Sequence, residues 1–214
     1  MYNHVIVVSG QPGAGSSTVA LNLAEAFSIP CFIAGRLFKD IALGTLHKQP
    51  YYKQFKQLCA QKNINLPRLN AGNDEEAARA VWNSPVGTSL AFHEAIDDLQ
   101  RKLAKEDNII IEGKLAVHLI SEATLRVWLT ASFSTRVERH ALKNKISLKE
   151  ASRFLEMRQE QERAEWQRLY GFDYWEQDLE ADIVLDTSNI NPKEAVKQII
   201  EAFSKRQSQS LKYT

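Results

Sequence analysis

The stretch SGQPGAGSSTVA, residues 9–20, holds Gly10 and Gly15 at the spacing of the pattern G-x-x-x-x-G-K-[ST]. Ser17 stands in the hydroxyl position, and Ser16 stands where that pattern has lysine. Glycines at 10, 13 and 15 let a backbone curl with its amides turned inward, so that amides and a helix N-terminus converge on an anion. A hydroxyl at 17 suits Mg²⁺ held beside the phosphates. The expected phosphate-binding residues are therefore Gly10, Gln11, Pro12, Gly13, Ala14, Gly15, Ser16, Ser17 and Thr18, with Ser17 the expected metal ligand. A plain glycine turn between strand and helix is the alternative.

Two charged segments, RVERHALK and MRQEQERAEWQRLYGFD, offer cations. A helix beginning near Phe133 puts Arg136, Arg139 and Lys143 on one face. Such a face, with Arg158 and Arg163 beyond it, could close over a polyphosphate and neutralise charge on a transferred group. The alternative is a solvated helix laced by salt bridges through Glu138, Glu156, Glu160 and Glu162. Glu112, Gly113 and Lys114 end an apolar run, and ligands of open α/β sheets gather beyond the carboxyl ends of strands. There a carboxylate could orient Mg²⁺ or a water, and Lys114 could meet an acceptor phosphate; a Glu112–Lys114 pair is the plainer reading. Asp97 and Gln100 could read a base or ribose, or be ordinary residues of a polar helix.

These residues need a scaffold. HVIVVSG is a short apolar run ended by glycine, as expected of a strand buried on both faces, and Ala20, Leu21, Ala24 and Phe27 follow at helical spacing. Apolar runs recur at 30–34, 108–113, 125–131 and 181–188. Five strands alternating with helices make a doubly wound α/β domain with a parallel sheet, the fold class expected here. Residues 36–105 read as mostly helical, with a stripe of Phe92, Ile96, Leu99 and Leu103 and a loop at 65–76. The charged region 134–170 breaks near KNKI, after which Ser147 and Glu150 mark a helix start. Asn191, Pro192 and Glu194 open a last helix whose stripe is Val196, Ile199, Ile200 and Phe203. The whole is expected to be one domain, 1–214, and its polar end KRQSQSLKYT to be frayed.

Composition narrows the classes. The 27 basic and 26 acidic residues give a formal charge of +1, which offers no long-range pull toward nucleic acid. Cys31 and Cys59 suit a reduced, cytoplasmic protein, and five scattered histidines have no zinc-ligand spacing. There is no apolar run long enough to cross a bilayer, no leader is expected before HVIVVSG, and no G-x-S-x-G elbow or deaminase signature occurs. Trp82, Trp128, Trp166 and Trp175 read as packing residues.

With these pieces in place the chain resembles the cytidylate kinase family, in its short, archaeal-type branch. The matching blocks are VVSGQPGAGSSTVALNLAEAF, IAGRLFKDIA, AIDDLQ, NIIIEGKLA, RVWLTASFSTRVERHA, YGFD and ADIVLDTS with NPKEAVKQIIEAF, in the family's order over roughly two thirds of the chain. The resemblance implies a P-loop kinase fold and transfer of the ATP γ-phosphate to CMP or dCMP with Mg²⁺, by a monomer with an acceptor-binding region (36–105) and a lid (134–170). It implies that Arg136, Arg139, Arg158 and Lys114 are catalytic. It also implies that Gly35, Arg36, Lys39, Asp97, Gln100, Glu112, Gly113 and Lys114 serve the acceptor. Departures from the family's pattern sit mostly on that side: Arg36 replaces an acidic residue, lysine replaces arginine at 39 and 114, Glu165 replaces a lid arginine, and the stretch from Gly44 to Phe92 is some twenty residues longer. Two other readings stay open: a kinase for another small metabolite, and a nucleotide-binding regulatory protein without turnover.

Overall fold

The computed structural model describes residues 4–67, 74–106 and 108–210. They fall into two compact units, one formed by the chain through Cys31 together with Asn108 onward, the other by Phe32–Asp107.

The first unit is built on β1, Val5–Gly10, which is buried along its whole length. Its run of β-branched residues suits a strand covered on both faces. β1 pairs in parallel with β3, Ile109–Glu112, on one side and with β4, Leu125–Thr130, on the other; β4 pairs in parallel with β5, Ile183–Asp186. With the short β2, Cys31–Ile33, at the edge, the strand order is β2-β3-β1-β4-β5. Helix α1, Ser16–Phe27, packs against the last helix, Pro192–Ser210, and both bury apolar stripes in the core of the unit: Val19, Ala20 and Leu23 from one, Ala195, Ile199 and Phe203 from the other. The expected Asn191 cap forms, its Oδ1 accepting from Glu194 N, while the Glu194 carboxylate accepts from Gln198. That helix continues through the segment expected to fray, as far as Ser210; residues 211–214 lie outside the described residues.

The second unit carries α2, Ala34–Ala42; a 3-10 turn, Leu46–Lys48; α3, Tyr52–Gln61; α4, Asp74–Trp82; and α5, Leu90–Glu106. α2 packs on α4 and α3 on α5. Phe38 meets Phe92 edge to face, Phe55 does the same from α3, and Trp82 and His93 extend the cluster. Of the loop expected at 65–76, residues 68–73 lie outside the described residues and Asp74 already begins α4. β2 is shorter than the apolar run 30–34, because α2 takes over at Ala34.

Back in the first unit, α6, Ala116–Leu119, follows β3, and the charged region forms a helical hairpin of α7, Phe133–Asn144, and α8, Leu148–Tyr170. We label the last helix α9. The break between α7 and α8 is chemical: Lys145 takes a left-handed conformation, then Ser147 Oγ accepts from Glu150 N while the Glu150 carboxylate accepts from Ser147 N. This reciprocal capping box satisfies two amides that the helix cannot. Ser147→Ala should therefore lower stability by about 1 kcal/mol. Thermal unfolding checks it: a fall of several degrees in Tm is expected, and an unchanged Tm would show that the box does not hold the hairpin.

Candidate active site

The loop between β1 and α1 turns on Gly13, φ 85°, and Gly15, φ 97°, a region that favours glycine. A side chain at Gly15 would meet nothing within 4 Å, so the glycine there answers to its positive φ and not to crowding. α1 begins at Ser16, without a side-chain cap and without acidic residues in its first turn. The amides of that turn have no acceptor further back in the helix and lie at its positive end. Ser17 and Thr18 are exposed there.

A loop that points its amides inward turns carbonyls outward, and those need donors. Arg136, expected as an open catalytic cation, is spent on them. It is only 4% exposed, its Nη1 donates to Pro12 O (3.2 Å) and its Nε to Ala131 O (3.1 Å), and its guanidinium lies over the Phe133 and Trp175 rings. Arg139 donates to the carbonyl of Thr187 (2.5 Å) and to its Oγ1 (3.0 Å), and reaches toward Ala14 O (3.4 Å). Thr187 Oγ1 itself donates to Ala14 O (2.8 Å). Lys143 remains exposed. The three cations thus do not form one open face: the first two brace the outer side of the loop.

The cations turned elsewhere come from β3 and α8. Lys114 Nζ lies 3.1 Å from Glu162 Oε2 and 3.5 Å from Gly10 O, and 5.5 Å over the Tyr174 ring. Arg158 Nε donates to Glu162 Oε1 (2.8 Å), and Tyr174 Oη donates to Glu162 Oε2 (3.1 Å). Glu162, set aside from sequence as one salt-bridging residue among several, is therefore the buried anion that gathers Lys114, Arg158 and Tyr174. Burial alone would raise its pKa, but Lys114 and Arg158 hold it down at about 2. Glu112 accepts from Ser16 Oγ (2.6 Å), so the residue in the lysine slot is engaged. Burial pushes the Glu112 carboxyl above its usual range, against the pull of the Ser16 hydrogen bond and of Lys114. Gly113 is fixed between β1 residues, its N donating to Val8 O and its carbonyl accepting from Ser9 Oγ.

In the second unit, Asp97 and Gln100 are buried at 6% and 3% exposure, and Gln100 Oε1 is buried without a hydrogen-bond partner. Gly35 and Arg36 are exposed at the start of α2, Arg36 within 3.8 Å of Asp40, while Lys39 is half-buried. Glu165 pairs with Arg168. In the first unit Tyr170 ends α8, Gly171 is its left-handed cap, and Asp173 pairs with Arg163 and caps the following 3-10 turn.

The metal expected at Ser17 would take that exposed hydroxyl as its oxygen donor. Among the described residues no three His, Cys, Asp or Glu side chains converge as a cage.

Residues 5–189 match the model of the cytidylate kinase-like family. The chain belongs to that family. A cytidylate kinase from Pyrococcus abyssi is 31% identical over 199 residues, covering 92% of each chain. The nucleoside monophosphate kinases are the enzyme class to which such a chain belongs. Among solved structures, an uncharacterized protein from Eubacterium ventriosum shares the fold at TM-score 0.62 and 15% identity, covering 95% of this chain and 99% of that one. A shikimate kinase from Bacteroides thetaiotaomicron does so at TM-score 0.51 and 11% identity, covering 94% and 98%. The fold of the family member is thus that of P-loop kinases. No helix among the described residues is long and apolar enough to cross a membrane.

Glu162 also makes stability depend on pH. Its folded pKa, about 2, lies below its unfolded value, so its contribution is present above roughly pH 4.3 and is lost as pH falls toward 2. The loss should be on the order of 3 kcal/mol. Denaturant unfolding of wild type and Glu162→Gln between pH 6 and pH 3 checks it: the gap between them should narrow with acid, and a constant gap would contradict the assignment.

Proposed function

We propose that the protein transfers the γ-phosphate of ATP to the 5'-phosphate of CMP or dCMP, with Mg²⁺. The observation that carries this reading is the glycine loop at the start of α1, where Gly13 and Gly15 take positive φ and the carbonyls of Pro12 and Ala14 are held by Arg136 and Thr187. A glycine loop leading into a helix N-terminus suits a polyphosphate. The cytidylate kinase name of the Pyrococcus abyssi relative supports the acceptor.

Residues 10–18 then hold the triphosphate, and Ser17 holds Mg²⁺, which screens charge on the phosphates when bound. A phosphate oxygen needs little activation as a nucleophile near neutral pH, so the protein's task is positioning and charge neutralisation. Lys114 and Arg158 supply the cations; Arg139 serves through Thr187 and Ala14, and Arg136 is a positioning residue for the loop. The second unit supplies the acceptor residues: Gly35, Arg36 and Lys39 for the phosphate, Asp97 and Gln100 for the base, with Glu112 and Gly113 at the end of β3. The unpartnered Gln100 Oε1 beside the Asp97 carboxylate supports a base with an amino group, which cytosine has and uracil lacks. We further assign it as a monomer of the cytoplasm without a nucleic-acid or membrane partner, in keeping with its near-neutral charge and free cysteines.

Steady-state phosphoryl transfer from ATP across CMP, dCMP, UMP, AMP and GMP tests this. CMP or dCMP should show kcat/KM at least about 10-fold above UMP, the scale of one lost buried hydrogen bond. Saturable turnover confined to another acceptor would overturn the choice of substrate, and tight ATP binding without turnover on any would leave a nucleotide-binding protein.

A further inference from the structure

We infer that Lys114 is the donor-phosphate ammonium of this loop, supplied from the end of β3 in place of a lysine at position 16 and held there by Glu162. The inference rests on the nucleotide-kinase reading above and moves Lys114 from the acceptor side to the triphosphate side.

Geometry carries it. β1 and β3 run in parallel with Val8 opposite Glu112, and Ser9 Oγ donates to Gly113 O, so the chain delivers Lys114 level with Gly10, the first glycine of the loop. Its Nζ comes within 3.5 Å of the Gly10 carbonyl. Position 16 does not compete, because Ser16 Oγ is tied to Glu112 Oε1 at 2.6 Å. Glu162 then fixes the ammonium. Its Oε2 accepts from Lys114 and from Tyr174 Oη, and its Oε1 accepts from Arg158, so one buried carboxylate sets the positions of both cations. A flexible ammonium needs such an anchor, since it is a point charge without the fixed fork of a guanidinium. Glu162 is accordingly a positioning residue.

Calorimetric titration of ATP with Mg²⁺, and separately of CMP, into wild type and variants tests the assignment. Lys114→Met should weaken ATP about 10-fold or more and leave CMP within about twofold, the loss expected of one charge-assisted hydrogen bond. Because Lys114→Met takes one of three partners from a buried carboxylate, the paired variant Lys114→Met/Glu162→Gln carries the same measurement with both charges removed. Adding Ser16→Lys to that pair should restore most of the ATP affinity, whereas Ser16→Lys alone should add little. Glu162→Gln should weaken ATP when Lys114 is present and change nothing further when it is absent. Loss of CMP affinity with ATP affinity intact would return Lys114 to the acceptor side and overturn the inference, as would failure of Ser16→Lys to restore ATP binding in a folded variant. If wild type phosphorylates no monophosphate, the kinase reading fails by itself, and the ATP titrations still decide where Lys114 acts.

Discussion

The site depends on how the backbone carbonyls of the glycine loop are satisfied. The loop closes on itself where Ala14 N donates to Gln11 O, and its turn leaves the carbonyls of Pro12 and Ala14 facing the protein, where unpaired they would cost stability. Arg136 takes the first, and Thr187 with Arg139 takes the second. Arg136 is anchored in turn by Ala131 O and by two aromatic faces. The start of α7 and the end of β5 are thus the back wall of the phosphate loop, and the sheet order that sets β4 and β5 beside β1 brings that wall to it.

A second constraint is charge balance. Within the first unit the carboxylates of Glu112 and Glu162 face the cations of Lys114 and Arg158, with Tyr174 completing the shell of Glu162. A buried carboxylate costs several kcal/mol unless it is paired and hydrogen-bonded. Glu162 meets both conditions. The same arrangement keeps two cations ordered without phosphate, which lowers the cost of arranging them when phosphate binds.

Much of this was legible from the sequence where the signal is local. β1, the loop and α1 followed from one apolar run, three glycines and a helical stripe, and the Ser147 and Asn191 caps followed from residues three apart. The family was legible from the order of its blocks. What sequence could not show was which partner each charge would choose. Arg136 and Arg139 share a helix face, but whether that face meets phosphate or carbonyl depends on how α7 seats against a loop far earlier in the chain. Glu162 looked like any acid of a charge-dense helix; only its burial, at 9% exposure, distinguishes it. The Arg158 and Glu162 spacing of i and i+4 was a readable hint, whereas the pairing with Lys114 needed the tertiary fold. Thr187 carried no signal beyond its place after β5.

The most direct measurement of the loop tether is the ATP dissociation constant, with Mg²⁺, of Arg136→Lys against wild type, with the fold of each checked by circular dichroism. Lysine keeps the charge but cannot bridge Pro12 O and Ala131 O from one planar group. The tether requires ATP affinity to fall by about 10-fold while CMP affinity changes little, as expected when roughly 1.4 kcal/mol of loop ordering is lost. A folded Arg136→Lys variant that binds ATP as tightly as wild type would contradict it.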